Sequence, residues 1–305
     1  MLLTEKIEEV SFSPAEREVV RYILTDYTRI ENATVKELAE KNYVHPSTLI
    51  RIAKKMGFHG WNDFKDAFLK EQDYLHNHFV QTDANLPFAE NDSILTIAQK
   101  IASLEQETIS DTLSLLEHQQ LQKATELLYQ SKQIKIFTSN ANLLISQDFA
   151  LKMRRIKKQT SAAETIGEHV YEAYSTDENT CVLMISYTGE NEMLKRILPI
   201  LKQQGATIIV LTGIGDNTLA KLSDCHLRLA TREKLYSKIG SYTTSTSISY
   251  LLDILYSTVF AKNYQKNMAH LIAIGEEYDN RTSTSPVMHE SNPPKIQVTD
   301  AIIPN

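Results

Sequence analysis

The 305-residue chain has only two cysteines, Cys181 and Cys225, each inside an apolar, strand-like run. Two such residues build neither a disulfide framework nor a cysteine-based metal site, and the natural setting is a reducing cytoplasm. Excess positive charge is also lacking: 32 Lys and Arg against 38 Asp and Glu leave a net charge of −6. Any contact with nucleic acid must therefore rest on a local basic patch. No apolar run approaches the ~18 residues of a membrane-spanning helix, and the acidic start MLLTEKIEEV lacks the basic and apolar segments of an export signal. Neither a membrane partner nor a leader is expected. What is present is ordinary for a globular protein, with 42% hydrophobic and 23% charged residues. The length suits roughly two domains of about 100–200 residues each.

The first 70 or so residues read as short, capped helices. Ser13-Pro14-Ala15-Glu16 combines an N-cap serine, a proline at the first helical position and a glutamate three residues after the cap, predicting a helix to about Asp26. Thr34-Val35-Lys36-Glu37 repeats the capping box and opens a second helix, Val35 to about Lys41. A tight connection, Asn42-Tyr43-Val44-His45, leads to Pro46 and a third helix that ends before Gly57. Together these outline a helix-turn-helix. On the third helix Leu49, Ile52, Ala53 and Met56 share one face, and Ser47, Thr48, Arg51, Lys54 and Lys55 share the other. No acidic residue occurs between Lys41 and Asn62. Small hydroxyls at the front of a helix allow close approach to DNA, Arg51 can grip guanine bidentately, and lysines neutralise phosphates. An ordinary helical bundle with a solvated cationic face is the alternative. Ile50, at the border of the two faces, can pack inside or touch a thymine methyl.

Residues 71–91 are polar, lose periodicity and contain Pro87, as an interdomain linker would. Residues 94–129 read as long helical sequence. From Gln133 onward short apolar runs alternate with helices: strands at 134–137, 181–186, 206–211 and 225–229, a fifth at 159–163, and helices at 143–156, 192–204 and 244–262. Continuous apolar strands alternating with helices imply a parallel sheet covered on both faces, with ligands at the carboxyl ends of its strands. The loop Ser186-Tyr187-Thr188-Gly189-Glu190-Asn191 lies at such an end, between the run Cys181-Val182-Leu183-Met184-Ile185 and a helix start. A helix start leaves N–H groups unpaired and carries partial positive charge, so hydroxyls gathered there suit phosphate. The loop alone leaves open whether the ligand is transformed or sensed.

The stretch TVKELAEKNYVHPSTLIRIAKKMGFHGWNDFK resembles the amino-terminal domain of RpiR/MurR-type bacterial transcriptional regulators, through Leu38-Ala39, Val44, Thr48, Arg51, Lys54 or Lys55, Gly57-Phe58, Gly60 and Phe64-Lys65. His45 followed by Pro46 departs from that family's usual serine. From about Leu121 to Asn263 the chain resembles the sugar isomerase (SIS) domain of the same regulators. CVLMISYTGENEMLKRILPILKQQGATIIVLTGIGDNTLAKLSD and Asp253-Ile254-Leu255-Tyr256 carry that likeness. After the first strand, however, Thr138-Ser139-Asn140-Ala141-Asn142 replaces the family's glycine-rich loop.

The resemblance implies an all-α helix-turn-helix domain (1–72) and an α/β SIS domain with a five-stranded parallel, flavodoxin-like sheet flanked by helices (94–278); polarity and lost periodicity set a linker (73–93) between them, and Ser, Thr, Asn and Pro content with no amphipathic pattern marks a disordered or loose tail (279–305). It implies DNA contact through Thr34, His45, Ser47, Thr48, Arg51, Lys54 and Lys55. A phosphorylated sugar effector would meet Ser139, Asn140, Asn142, Ser186, Tyr187, Thr188, Gly189 and Asn191, with the backbone N–H groups of Tyr187 and Gly189 helping. Lys152 and Arg155 match family positions, and residues 154–158 otherwise read as a solvated charge run. Glu168, His169 and Glu190 are the available acid–base groups, yet the first two fall in a polar loop and the third belongs to the phosphate loop. The expected function is thus a regulator of carbohydrate metabolism, not an enzyme, with no cofactor or metal, acting as a homo-dimer or tetramer on a palindromic double-stranded operator. The alternatives are a sugar-phosphate isomerase and a regulator whose SIS domain has lost its ligand.

Overall fold

The computed structural model describes residues 3–25, 27–31, 33–78, 82–163 and 167–290. Its amino-terminal helices are α1 (Leu3–Glu9), α2 (Pro14–Thr25), α3 (Thr28–Glu31), α4 (Val35–Lys41), α5 (Pro46–Lys55) and α6 (Trp61–His78). Both capping boxes form: the Ser13 N–H donates to Glu16 Oε2 at 2.7 Å, and the Thr34 N–H donates to Glu37 Oε2 at 2.8 Å. Val19, Ile23, Leu38, Leu49, Ile52 and Phe64 close a shared core. Such fully buried side chains contribute about 1.5–3 kcal/mol each.

Helix α6 runs through residues 71–78, where polarity suggested a linker. Trp61, Phe64 and Phe68 hold one face of it in the core. Glu71, polar in the sequence, is buried because its carboxylate caps α1: it accepts the Leu3 N–H at 2.6 Å, the Thr4 N–H at 2.9 Å and the Thr4 hydroxyl at 2.7 Å. A residue some 70 positions from its hydrogen-bond partners gives no local signal, which is why neither α1 nor the length of α6 shows in the periodicity.

The second domain opens with α7 (Ile94–Ser114) and α8 (His118–Gln130). The strands are β1 (Gln133–Phe137), β2 (Gln159–Ala162), β3 (Thr180–Ser186), β4 (Thr207–Gly213) and β5 (Cys225–Leu229), all parallel, in the order β2-β1-β3-β4-β5. Helices α9 (Ala141–Arg155), α10 (His169–Tyr174), α11 (Glu192–Gln203), α12 (Thr218–Leu222), α13 (Tyr242–Lys262) and α14 (Tyr264–Tyr278) complete it. Every residue of β3 is buried, as a central strand between two helical layers requires. Cys181, Leu183 and Ile185 face the layer of α8, α9 and α13, while Val182 and Met184 face that of α11. Neither cysteine is bonded to the other. Among the described residues no helix is long and apolar enough to cross a membrane. Pro286–Met288 forms a 3-10 turn within the expected tail, and residues 291–305 lie outside the described residues.

From β1 the chain moves to one side of the sheet, to β2, whereas from β3 it moves to the other, to β4. The switch point therefore lies between the carboxyl ends of β1 and β3, where open α/β sheets bind ligands. The loops at that point are 138–142 and 186–191.

Candidate functional site

On α5, Leu49, Ile52, Ala53 and Met56 are buried, while Ser47, Arg51, Lys54 and Lys55 are exposed. His45 replaces the usual hydroxyl cap with its ring: Nδ1 accepts the Ser47 N–H at 3.3 Å and lies 2.8 Å from Ser47 Oγ, with Pro46 in the first turn. The helix start is thus satisfied. Two expectations need correction. Thr48 is buried, because it lies one turn before Ile52 and shares the edge of the apolar stripe; its hydroxyl accepts from Arg51 Nη2 at 3.3 Å. Lys55 turns back to Glu16 Oε2 at 2.6 Å and the Ser11 carbonyl at 3.0 Å, so its charge is committed within the domain. The Thr34 hydroxyl is likewise engaged in its capping box. Glu16 is almost fully buried, and burial opposes its charge, but Lys55 and Ser13 more than offset this and hold its carboxyl below the ordinary value. The same carboxylate stands 3.7 Å from Arg51 Nε, steadying a guanidinium that remains largely exposed. Tyr43, exposed at positive φ in the turn before His45, was not singled out by the sequence.

Loop 186–191 is wound tightly. The Gly189 N–H donates to the Ser186 carbonyl at 3.1 Å and to Ser186 Oγ at 3.2 Å, which removes it from the expected set of phosphate donors. Asn191 caps α11, its Oδ1 accepting the Leu194 N–H at 3.1 Å. Its amide nitrogen, the Ser186 hydroxyl proton, the exposed Thr188 side chain and the first turn of α11 are the donors at this end of β3. The Tyr187 hydroxyl is tied away from the loop, donating to the Glu233 carbonyl and accepting the Glu233 N–H, both at 3.0 Å.

Across the crevice, Thr138 Oγ1 donates to the Ile185 carbonyl at 2.8 Å and pins the base of one loop to the other. Asn140 precedes α9 at φ 56 and ψ −137, a conformation that favours glycine, and its side chain makes no capping hydrogen bond. Its amide is exposed at the mouth, while Ser139 and Asn142 are half-buried. Replacing Asn140 with glycine is expected to raise stability by about 1 kcal/mol by relieving this strain. If its amide contacts the ligand, the same change weakens ligand binding. Chemical denaturation and a titration separate the two effects, and unaltered stability would mean that the backbone is relaxed.

The three acid–base candidates occupy different surroundings. Glu190 is held below the ordinary carboxylate value, burial being outweighed by the Thr218 and Lys195 contacts. Its Oε1 accepts the Thr218 N–H at 2.6 Å and its Oε2 the Thr218 hydroxyl at 2.9 Å, so it caps α12. His169, expected in a loop, instead starts α10 with its ring centroid 6.4 Å from that of Phe137 at the end of β1, and Glu168 is exposed beside it. Glu233 carries no local sequence signal. It is buried at the start of α13, where its Oε1 accepts the Thr243 N–H at 2.6 Å and the Thr244 N–H at 3.0 Å, and Lys238 pairs with it at 2.7 Å. Lys152 bridges Asp148 of α9 and Asp253 of α13, both at 2.6 Å.

Residues 1–73 match the helix-turn-helix domain of the rpiR family, and residues 127–257 match the SIS domain. An uncharacterized HTH-type transcriptional regulator of Caldanaerobacter subterraneus is 26% identical over 261 residues, covering 86% of this chain and 90% of its own. Another, of Clostridium perfringens, is 25% identical over 268 residues, covering 87% and 95%. Among solved structures, the Vibrio vulnificus NanR protein complexed with ManNAc-6P aligns with a TM-score of 0.56 at 20% identity, covering 90% of this chain and 96% of that one. The sugar isomerase domain of an RpiR transcription factor from Sphaerobacter thermophilus gives 0.52 at 12% identity, covering 59% and 98%. The two domain matches, in this order on one chain, place it in the rpiR family of helix-turn-helix transcriptional regulators, with a SIS domain as its second module.

Proposed function

We propose that this regulator senses a phosphorylated sugar in the crevice between loops 138–142 and 186–191 and adjusts the binding of its α5 helix to a palindromic operator. The observation that carries the reading is the switch point itself, which falls between two loops rich in hydroxyl and amide groups and beside the start of α11. Ser186, Thr188, Ser139, Asn140 and Asn142 are the effector contacts, and Ser47, Arg51 and Lys54 the DNA contacts. The solved NanR complex holds ManNAc-6P, which supports an amino-sugar or hexose 6-phosphate as the ligand class. Reading paired half-sites needs two copies. The outer side of α7, where Ile94, Leu95 and Leu113 are exposed, supports a homo-oligomer formed through the second domain. The engaged Glu190 favours sensing over turnover, and a cytoplasmic site of action follows from DNA binding.

A thermal-shift panel of glucose 6-phosphate, N-acetylglucosamine 6-phosphate and ManNAc-6P tests the pocket, since stabilisation grows as RT ln(1 + [L]/Kd). Ser186→Ala is expected to remove the shift and the effector response while DNA binding without effector persists. A normal response would move the pocket elsewhere, and isomerisation of a panel member by the purified protein would overturn the sensor reading. Arg51→Ala is expected to weaken operator binding by about 1–3 kcal/mol, roughly five- to 150-fold, with the effector shift retained. Fluorescence anisotropy on an operator selected from random duplexes measures it, and unchanged affinity would rule out α5 as the reading helix.

A further inference from the structure

Residues 213–218 touch both modules. Toward the effector loop, the Gly213 N–H donates to the Tyr187 carbonyl at 2.9 Å, and Thr218 is held by Glu190 through its N–H and hydroxyl at 2.6 and 2.9 Å. Toward the reading module, the Asp216 carboxylate lies 3.9 Å from Lys6 Nζ of α1 and 2.7 Å from Lys221 Nζ of its own domain. Lys6 in turn donates to the Met56 carbonyl at 2.7 Å, at the carboxyl end of the recognition helix. A cavity of about 390 Å³, lined by Met56, Phe58, Ile214 and Asp216 among others, opens between the modules at this contact. The loop therefore has room to move.

We propose that residues 213–218 form a latch by which occupancy of the effector loop sets the hold of the SIS domain on the recognition helix, with Asp216 dividing its charge between Lys221 and Lys6. The inference rests on the reading of loop 186–191 as a phosphosugar site. A phosphate dianion seated there brings like charge toward Glu190, whose carboxylate both caps α12 and pairs with Lys195 at 3.3 Å. Any shift of Glu190 moves Thr218, two residues from Asp216. The two lysines differ by little more than an ångström in distance, so a small displacement changes which of them Asp216 favours. When Asp216 draws Lys6 closer, the ammonium leaves the Met56 carbonyl and releases the end of α5; when it favours Lys221, Lys6 stays on Met56. Part-exposed ion pairs are individually weak, which suits a switch that a ligand of modest differential affinity has to turn. Coupling of this kind typically changes affinity about five- to 150-fold.

Two measurements on the full chain test the latch. The first needs no effector: hydrogen exchange of Glu190→Gln. The latch predicts faster exchange in α1 and at residues 54–57 as well as in α12. Changes confined to residues 186–222 would overturn it. The second uses Asp216→Asn with the same three 6-phosphates. The expected result is a wild-type thermal shift from any phosphate that stabilises the parent protein, with its effect on DNA affinity reduced at least fivefold. A wild-type DNA response in Asp216→Asn would overturn the latch. Failure of all three phosphates to stabilise the parent protein would count against the effector reading instead, while the exchange measurement still decides the latch. Lys6→Gln repeats the second measurement from the other side of the ion pair, should Asp216→Asn fold poorly.

Discussion

Gly189→Ala is expected to abolish the response to sugar phosphate and to destabilise the second domain by about 1–3 kcal/mol. Gly189 has φ +66, a backbone conformation that a side chain disfavours. A Cβ there would lie 2.0 Å from Asn217 Oδ1, 2.2 Å from Asn217 Cγ and 2.7 Å from Thr212 Oγ1. Neither neighbour can yield easily. Asn217 Oδ1 accepts the Ala220 N–H at 3.0 Å at the start of α12, and Thr212 is fully buried at the end of β4. The loop itself must shift, breaking the Gly189 N–H bonds to Ser186 and disturbing the hydroxyl that faces the crevice. Thermal denaturation and the 6-phosphate panel read both effects, and DNA binding by the amino-terminal module should survive. A variant with parental stability and response would show that the loop is not wound as described.

Arg232→Ala is expected to cost about 3–5 kcal/mol, the penalty for removing one partner of a buried ion pair. The Arg232 side chain is 2% exposed, with Nη1 3.0 Å from Glu107 Oε2 and 3.5 Å from Asp111 Oδ2. Its Nη2 donates to the Thr82 carbonyl at 2.8 Å. One guanidinium thus joins the segment entering the domain, α7 and the connection from β5 to α13. Its loss removes this cation from two carboxylates on successive turns of α7, the Asp111 side chain buried and that of Glu107 partly exposed. For a domain of this size that corresponds to a fall in melting temperature of roughly 6–20 °C. Lys221→Ala, which removes a surface pair, is the control and should change stability by no more than about 1 kcal/mol. If calorimetry found the two variants alike, the Arg232 cluster would have to be solvated.

Much of the architecture was legible because its causes are local. The box Thr34 to Glu37 marks the start of α4, Pro46 that of α5, and the run around Leu183 has the composition of a strand buried on both faces. The residues flanking the switch point were legible for the same reason, as hydroxyls and amides directly after strands. The helical part of the expected linker was not, since Glu71 looks like solvent-facing polarity until α1 is placed against it. Nor was the burial of Thr48 or the pairing of Lys55 with Glu16, because helical projection gives direction but not the neighbour that claims a side chain. Lys55 meets Glu16 across 39 residues.

Periodicity, caps and turn chemistry act over a few residues, so they define elements, their order and the residue types at each strand end. They do not say which carboxylate meets which cation. That depends on segments far apart in the chain, such as Arg232 and Thr82, separated by 150 residues, or Lys6 and Asp216 on different modules. Charges are satisfied only after the elements pack, because burial makes an unpartnered one costly and leaves the chain to find its counter-ion in three dimensions.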